Sequence, residues 1–253
     1  MTNYIQVSPN MTFEQDSAFG NFDMNTIFDI FRLVDINFSK ALETKEFSSK
    51  QCIISYNHYG DYPMCCKEAN QHRIYLRCND DYWCQWMFQF AHEYCHHLID
   101  GKLSGEISGL IWFEESVCEM SSMYHLHNLA LHYQASHQQY LLRYAPSVRD
   151  YLHERMNVEP QLAFEVTHPG FLHKWEHILK EPIYHREHYK AIASLMLPLF
   201  LDNPHLWKII LHFEDMRSWN SIHELFSHLE QTATPDYKIS LVELHRLLLC
   251  DIP

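Results

Sequence analysis

Glycine is scarce in this chain, which contains only 6 among 253 residues. So few glycines disfavour turn-rich all-β folds, whose tight turns depend on glycine. Neither of the two common glycine-rich phosphate loops, G-x-G-x-x-G and G-x-x-x-x-G-K-[ST], occurs in the sequence. The sequence therefore excludes nucleotide binding by those two routes.

Basic residues are also few. Lys and Arg together number 19 against 32 Asp and Glu, which gives a formal net charge of −13. A nucleic-acid binder needs basic groups to neutralise phosphates, and a peripheral membrane protein needs them to dock on anionic lipids. We therefore expect neither a nucleic-acid partner nor a membrane partner.

The sequence has no long apolar run and no C-x-x-C motif. No stretch approaches the 18 uninterrupted apolar residues of a spanning helix. The opening residues MTNYIQVSPN lack a basic segment followed by an apolar one, so no signal peptide is expected. The eight cysteines are scattered along the chain. These features predict a cytoplasmic protein without disulfides.

Before residue 80 the sequence indicates one helix and two short strands. The first 23 residues are polar and read as irregular. Apolar residues at helical spacing predict a helix over Asn25–Leu42. Runs rich in Ile and Tyr, flanked by turn residues, predict strands at Cys52–Tyr56 and Arg73–Cys78.

The strongest helix pattern follows residue 82. Trp83, Met87, Phe90, Tyr94 and Leu98 recur every three or four residues and predict one buried stripe. Gly101 is a plausible stop for this helix, within the glycine-containing linker DGKLSGEISG. A second helix is expected from near Trp112 to Gln134.

From residue 138 onward the pattern is helical, with prolines that divide it into about five further helices. The sequence thus predicts an α+β fold that is mainly α. A small antiparallel sheet should pack on the helix that begins near Trp83.

That helix carries the motif H-E-x-x-H as His92-Glu93-Tyr94-Cys95-His96. His92 and His96 are four residues apart, so both imidazoles project from one face and can hold one zinc ion. Glu93 lies one step round the helix and can reach a zinc-bound water, whose pKa the metal lowers to about 7. Because the chain has 20 His, an H-E-x-x-H can also arise by chance, and the residues around the motif have to be considered with it.

Glu115 is the candidate for the third zinc ligand. It follows His96 after eighteen intervening residues, in the run Trp112-Phe113-Glu114-Glu115-Ser116 at the start of the next expected helix. A helix, a loop and a returning helix would bring this carboxylate to the two imidazoles. Glu119, one turn further on, could accept the second N–H of a ligand histidine.

This combination resembles the gluzincin metallopeptidases. The spacing is similar to that of the aminopeptidase N-like group, whose third ligand lies in W-x-x-E, and Glu115-Ser116-x-x-Glu119 is similar to the thermolysin E-S-x-x-D motif. The resemblance covers about residues 73–124. The metzincin extension is absent, because Ile99 and Lys102 stand where that family has Gly and His.

The resemblance implies zinc-dependent hydrolysis of peptide bonds, with a peptide or protein as substrate. His92, His96 and Glu115 would bind Zn²⁺, and Glu93 would activate the zinc-bound water. It also implies an edge strand beside the active-site helix, for which Arg73–Cys78 stands in the right place. Residues 1–135 would form a zincin-like core, and a helical region at 136–253 would wall the cleft.

Several points stay open at this stage. A residue that stabilises the transition state cannot be placed by spacing, and five residues are candidates: Tyr124, His125, His127, Arg149 and His168. The exopeptidase motif G-x-M-E-N is absent, which leaves recognition of a free N-terminus undecided. The alternative function is a regulatory or toxin-linked protein on a zincin scaffold that cleaves or binds one specific partner. The oligomeric state, the substrate and a pro-segment role for residues 1–50 are undetermined.

Overall fold

A computed structural model describes most of the chain. The described residues are 3–43, 50–68, 70–99, 109–181, 184–218 and 221–249. For 214–218 only the backbone is described. The chain divides into two compact units. Unit 1 comprises Met1–Asp100 with Ser121–Leu152, and unit 2 comprises Gly101–Met120 with His153–Pro253.

Unit 1 contains a five-stranded sheet. Its strands are β1 (Asn3–Ser8), β2 (Met11–Gln15), β3 (Gln51–Tyr56), β4 (Met64–Lys67) and β5 (Gln71–Leu76). Their spatial order is β1-β2-β3-β5-β4. The pairs β1–β2 and β4–β5 are antiparallel, whereas β2–β3 and β3–β5 are parallel. The sheet is small as predicted, but it is mixed, and the expectation of an antiparallel sheet was wrong.

The parallel pairing of β2 with β3 follows from the helix that connects these two strands. Parallel neighbours need a crossover connection, and the helix predicted at Asn25–Leu42 supplies it. The first 23 residues, expected to be irregular, instead form the β1–β2 hairpin and a short 3-10 turn at Ser17–Phe19. Only Met11 and Phe13 are buried along β2, which is too short an alternation to read as a strand.

The position of the edge strand also differs from the expectation. The strand predicted at Arg73–Cys78 corresponds to β5, which lies inside the sheet between β3 and β4. It therefore cannot be the free edge that the resemblance implied. Among the described strands, β4 takes that place and runs antiparallel to β5. Its sequence MCCK is only four residues long and gives no clear strand pattern.

Two helices cover one face of this sheet. Helix α1 spans Met24–Leu42 and helix α2 spans Trp83–Ile99, in agreement with the sequence patterns. Asp23 caps α1, because its carboxylate accepts hydrogen bonds from the backbone of Asn25 and Thr26. Aromatic residues fill the space beneath the helices, with ring centroids of Phe31 and Phe90 4.4 Å apart.

Helix α3 spans Ile111–Gln134, also as predicted. The division between the units falls inside this helix, after Met120, so α3 contributes residues to both. Helix α4 follows at Gln139–Met156 and supplies unit 1 with residues up to Leu152. The expected helix stop at Gly101 lies outside the described residues.

The remainder of unit 2 is helical. Its elements are α5 (Pro160–Val166), α6 (Phe171–Leu179), α7 (Arg186–Asp202), a 3-10 segment (Pro204–Ser218), α8 (Ile222–Thr232) and α9 (Pro235–Leu249). With α4, six α-helices follow residue 138 in the described chain, where about five were expected. The mainly helical α+β prediction is confirmed. None of the helices in the described ranges is long and apolar enough to cross a membrane.

Candidate metal centre

Helix α2 presents the H-E-x-x-H residues on neighbouring positions of one helical surface. The ring centroids of His92 and His96 lie 5.1 Å apart, as expected for side chains one turn apart. His92 is buried and His96 is half-buried, whereas Glu93 is only 4% exposed. The helix is held in place by Tyr94, whose hydroxyl donates to Asp35 Oδ1 of α1 at 2.7 Å.

Two serines of α3 hold this helix close to α2. The Ser121 hydroxyl donates to the backbone carbonyl of Ala91 at 2.8 Å, and the Ser122 hydroxyl donates to that of Phe88 at 2.7 Å. Both serines are fully buried. Small side chains allow two helices to approach closely, and these bonds fix the position of α3 along α2. We call the contact made by Ser121 and Ser122 the α2–α3 seam. Because α3 is one continuous helix, this seam also fixes the direction of its earlier turns.

Glu115 lies two turns before this seam on α3. Its carboxylate, one ring nitrogen of His92 and one of His96 all lie within 4.8 Å of one another. The three residues predicted from sequence spacing are therefore brought together as a group. The sequence identified the carboxylate through its distance from His96 and its likeness to the W-x-x-E and E-S-x-x-D motifs.

These residues fit a zinc ion. Two imidazoles and one carboxylate are a donor set that catalytic zinc sites use, with a fourth position left for water or substrate. Ligand atoms spread over 4.8 Å need only small rotamer adjustments to reach zinc, since bond lengths of about 2.0–2.2 Å separate ligands by about 3–4 Å. His96 and Glu115 are half-buried, which leaves the group accessible to solvent.

A tyrosine that the sequence did not predict supports Glu115. The hydroxyl of Tyr184 donates to Glu115 Oε2 at 3.4 Å, and the Tyr184 ring packs edge-on against Tyr189 with centroids 5.1 Å apart. A hydrogen bond to a ligand carboxylate helps to orient it. Tyr184 is 69 residues from Glu115 in sequence, and no motif marks it.

Glu119 lies one turn beyond Glu115 and is 3% exposed. Its expected hydrogen bond to a ligand histidine stays a prediction. Among the candidates for transition-state stabilisation, His125 lies in the core, where its ring bonds the Ser121 carbonyl at 2.8 Å and packs against Phe38. His168 lies just beyond the end of α5, and its Nδ1 donates to the Phe164 carbonyl of that helix at 2.8 Å.

The three other candidates for transition-state stabilisation differ in burial. Tyr124 is buried, His127 is half-buried, and Arg149 donates to Gln134 at the surface. Of these three, His127 is the only one of a metal-ligating type, and it does not join the group of His92, His96 and Glu115 among the described residues. The transition-state residue therefore stays unassigned.

His97, the neighbour of His96, points into the fold instead of joining the ligand group. Its Nδ1 and the Nδ1 of His72 on β5 are 2.9 Å apart, and both rings are buried. One of these nitrogens must donate and the other accept, which defines complementary tautomers. The pair fastens the end of α2 to the sheet.

Strand β4 lies beside the base candidate. Burial raises the pKa of the Cys65 thiol well above its usual range, and the negative charge of Glu93 raises it further. The pKa of Cys66 is also raised by burial, with Glu68 and Glu93 adding to the effect. Burial and the neighbouring carboxylates thus both favour the neutral form of these two thiols.

No known protein family, curated protein or solved structure matches this chain. The resemblance to the gluzincins consequently depends on the motif, its spacing and the geometry described above.

Proposed function

We propose that the protein is a zinc-dependent metallopeptidase. The single observation that carries the proposal is the convergence of His92, His96 and Glu115, whose ligand atoms lie within 4.8 Å of one another. A chance H-E-x-x-H on a helical surface has no reason to meet a carboxylate from another helix. A buried glutamate directly after the first histidine adds the base that hydrolysis requires.

The three ligands would hold Zn²⁺ through two neutral imidazole nitrogens and one carboxylate oxygen. When bound, zinc supplies a Lewis acid that polarises a carbonyl and lowers the pKa of a coordinated water. Tyr184 orients Glu115 by its hydrogen bond at 3.4 Å. The seam of Ser121 and Ser122 keeps α3 against α2 and so preserves the spacing of the ligands.

Glu93 acts as general base and then as general acid. Its carboxylate takes a proton from the attacking water and holds it while the peptide carbon–nitrogen bond breaks. It then passes the proton to the leaving amine, so that one water is consumed for each bond cleaved. Burial keeps bulk water from competing for this proton.

The substrate would lie along β4 as an added strand. Among the described strands, β4 is at the edge of the sheet and lies beside α2. An extended peptide can pair with the free backbone groups of such an edge, and this gives binding with little sequence preference. We further propose a cytoplasmic location, which the seven free thiols among the described cysteines favour.

The test combines metal analysis with one conservative substitution. Purified, untagged protein should contain about one zinc per chain after a mild chelator wash. Glu93→Gln should retain that zinc but cleave a broad peptide library at least 100-fold more slowly, because the amide cannot accept the proton. Glu243→Gln, which changes an exposed carboxylate on α9, is the control and should cleave like the wild type.

Three outcomes would contradict the proposal. A protein that neither contains nor takes up zinc would have no metal centre. A Glu93→Gln variant as fast as the wild type would remove Glu93 from the mechanism. Zinc binding without cleavage of any library peptide would argue for the alternative, a protein dedicated to one partner.

A further inference from the structure

A small cavity in unit 1 lies well away from the proposed zinc ligands. It is formed by the first turns of α1, the last turn of α3 and the start of α4, and has a volume of about 140 Å³. Leu129, one of its lining residues, is fourteen residues beyond Glu115 on α3, which corresponds to about 21 Å along the helix. The metal site therefore does not account for this cavity.

Tyr133 is the unusual side chain of the cavity wall. It is 3% exposed, and its hydroxyl is buried without a hydrogen-bond partner among the described residues. Burial raises the pKa of this phenol, and neighbouring acidic groups, Asp29 among them, raise it further. The hydroxyl therefore stays neutral. A buried hydroxyl without a hydrogen-bond partner is unfavourable, and a bound ligand could supply the missing partner.

The charges at the cavity favour a positively charged ligand. Asp23 and Asp29 line it, and the lining contains no lysine or arginine. Asp29 Oδ1 accepts from Arg32 at 3.0 Å, which leaves Oδ2 without a partner among the described residues. Asp23 already caps α1, so the helix N-terminus is not open to an anion.

Aromatic rings add a second attraction for a cation. Tyr133 and Tyr140 line the cavity, and each has its ring centroid 6.1 Å from that of Trp83. The faces of such rings attract ammonium groups. A bare metal ion fits less well, because Asp23, Asp29 and His132 do not form a group with ligand atoms within 4.8 Å of one another.

We propose that this cavity binds a small organic ammonium ion, of the class of short alkyl amines. The ammonium group would donate to Asp29 Oδ2 and to the Tyr133 oxygen, and its alkyl chain would contact Ile30, Leu33 and Leu129. The volume suits about six non-hydrogen atoms, since a protein cavity of about 150 Å³ holds benzene.

Calorimetric titration with n-butylammonium chloride tests the proposal, with 1-butanol as the uncharged ligand of similar shape. We expect one ammonium per chain and at least tenfold weaker binding of the alcohol. Tyr133→Phe, which keeps the ring and removes only the hydroxyl, should weaken ammonium binding about tenfold. Asp29→Asn, an exposed position that serves if the first variant does not fold, should have a similar effect.

Tyr144→Phe is the matched control. Tyr144 belongs to the same aromatic cluster, but it does not line the cavity, and its hydroxyl contacts the Cys84 sulfur at 3.6 Å. This variant should bind like the wild type. Titrations repeated on chelator-treated protein exclude coordination of the amine to a metal. Equal binding of butanol, no binding of butylammonium at millimolar concentration, or wild-type affinity in both Tyr133→Phe and Asp29→Asn would overturn the proposal.

Discussion

Buried histidines show how strongly position decides the chemistry of one residue type. His92 and His96 belong to the accessible group that we propose binds zinc, whereas His125 on α3 is fully buried. Burial lowers the pKa of His125 to about 4, although hydrogen bonds to the Ser121 and Val34 backbone partly oppose this shift. In a chain with 20 histidines, sequence alone does not distinguish these roles.

His125 should make the protein less stable as the pH falls from about 6.5 to about 4. In this range the unfolded chain binds a proton at His125 while the folded protein does not, so unfolding gains free energy from protonation. The shift corresponds to at most about 3 kcal/mol. Urea unfolding at several pH values should show a flatter profile for His125→Leu than for the wild type.

An exposed histidine provides the comparison for that experiment. His173→Gln changes an exposed side chain on α6 and should leave the pH profile as it is in the wild type. The free energy of unfolding of His125→Leu can be compared with that of the wild type at pH 4.5 and at pH 7. If the difference is the same at both pH values, the buried imidazole does not resist protonation and the prediction is wrong.

For the secondary-structure elements, long sequence patterns predicted helices correctly, whereas three of the short strands were not predicted. Helices α1, α2 and α3 were predicted nearly to their ends, and α1 and α2 each carry many apolar residues at helical spacing. Strands β1, β2 and β4 were missed, because each is only four to six residues long and buries at most two side chains, which is too few to reveal a period.

The residues of the candidate site show the same difference between local sequence patterns and contacts made by the fold. His92, Glu93 and His96 follow from a local motif, and Glu115 follows from a spacing. The roles of β4 and Tyr184 depend on contacts made across long stretches of chain, Tyr184 being 69 residues from Glu115. Residues that the fold alone brings together leave no local pattern to read.

The seam between α2 and α3 should control zinc affinity. Ser121→Leu places a large side chain where the hydroxyl now bonds Ala91. Overpacking of a tight core costs about 1–3 kcal/mol, and the helices should separate to relieve it. Because Glu115 is on α3, we expect zinc affinity, measured by competition with a chromogenic chelator, to fall at least tenfold.

Ser121→Ala isolates the effect of size from that of the hydrogen bond. It removes the hydroxyl without adding volume, so the free energy of unfolding should fall by about 1 kcal/mol while zinc affinity changes less than threefold. A folded Ser121→Leu protein with wild-type zinc affinity would show that this seam does not position Glu115.

For the molecule as a whole, a bound metal would join residues that are far apart along the chain. A ligand that binds only the folded state adds stability according to its concentration relative to its dissociation constant, about 4 kcal/mol at a thousandfold excess. The proposed zinc ligands are on two helices separated by a connection that includes 100–108, so the metal would also constrain this connection at its two ends.

Chelation should therefore lower the melting temperature. For a chain of this length we expect a decrease on the order of 10 °C when zinc is removed from the saturated protein, measured by calorimetry with and without EDTA. His96→Ala should melt at the same temperature in both conditions. A similar decrease in that variant would assign the effect to other histidines instead of the proposed centre.

The shared helix α3 has a consequence for how the chain is made. Unit 1 consists of Met1–Asp100 and Ser121–Leu152, so its sheet is synthesised well before its last two helical segments. At about 5–20 residues per second, the ribosome needs about 4–15 s to proceed from the end of β5 to Leu152. During those seconds the apolar surface that α3 and α4 later cover is exposed. We therefore expect the nascent chain to expose more apolar surface during synthesis than a unit built from one continuous stretch of residues.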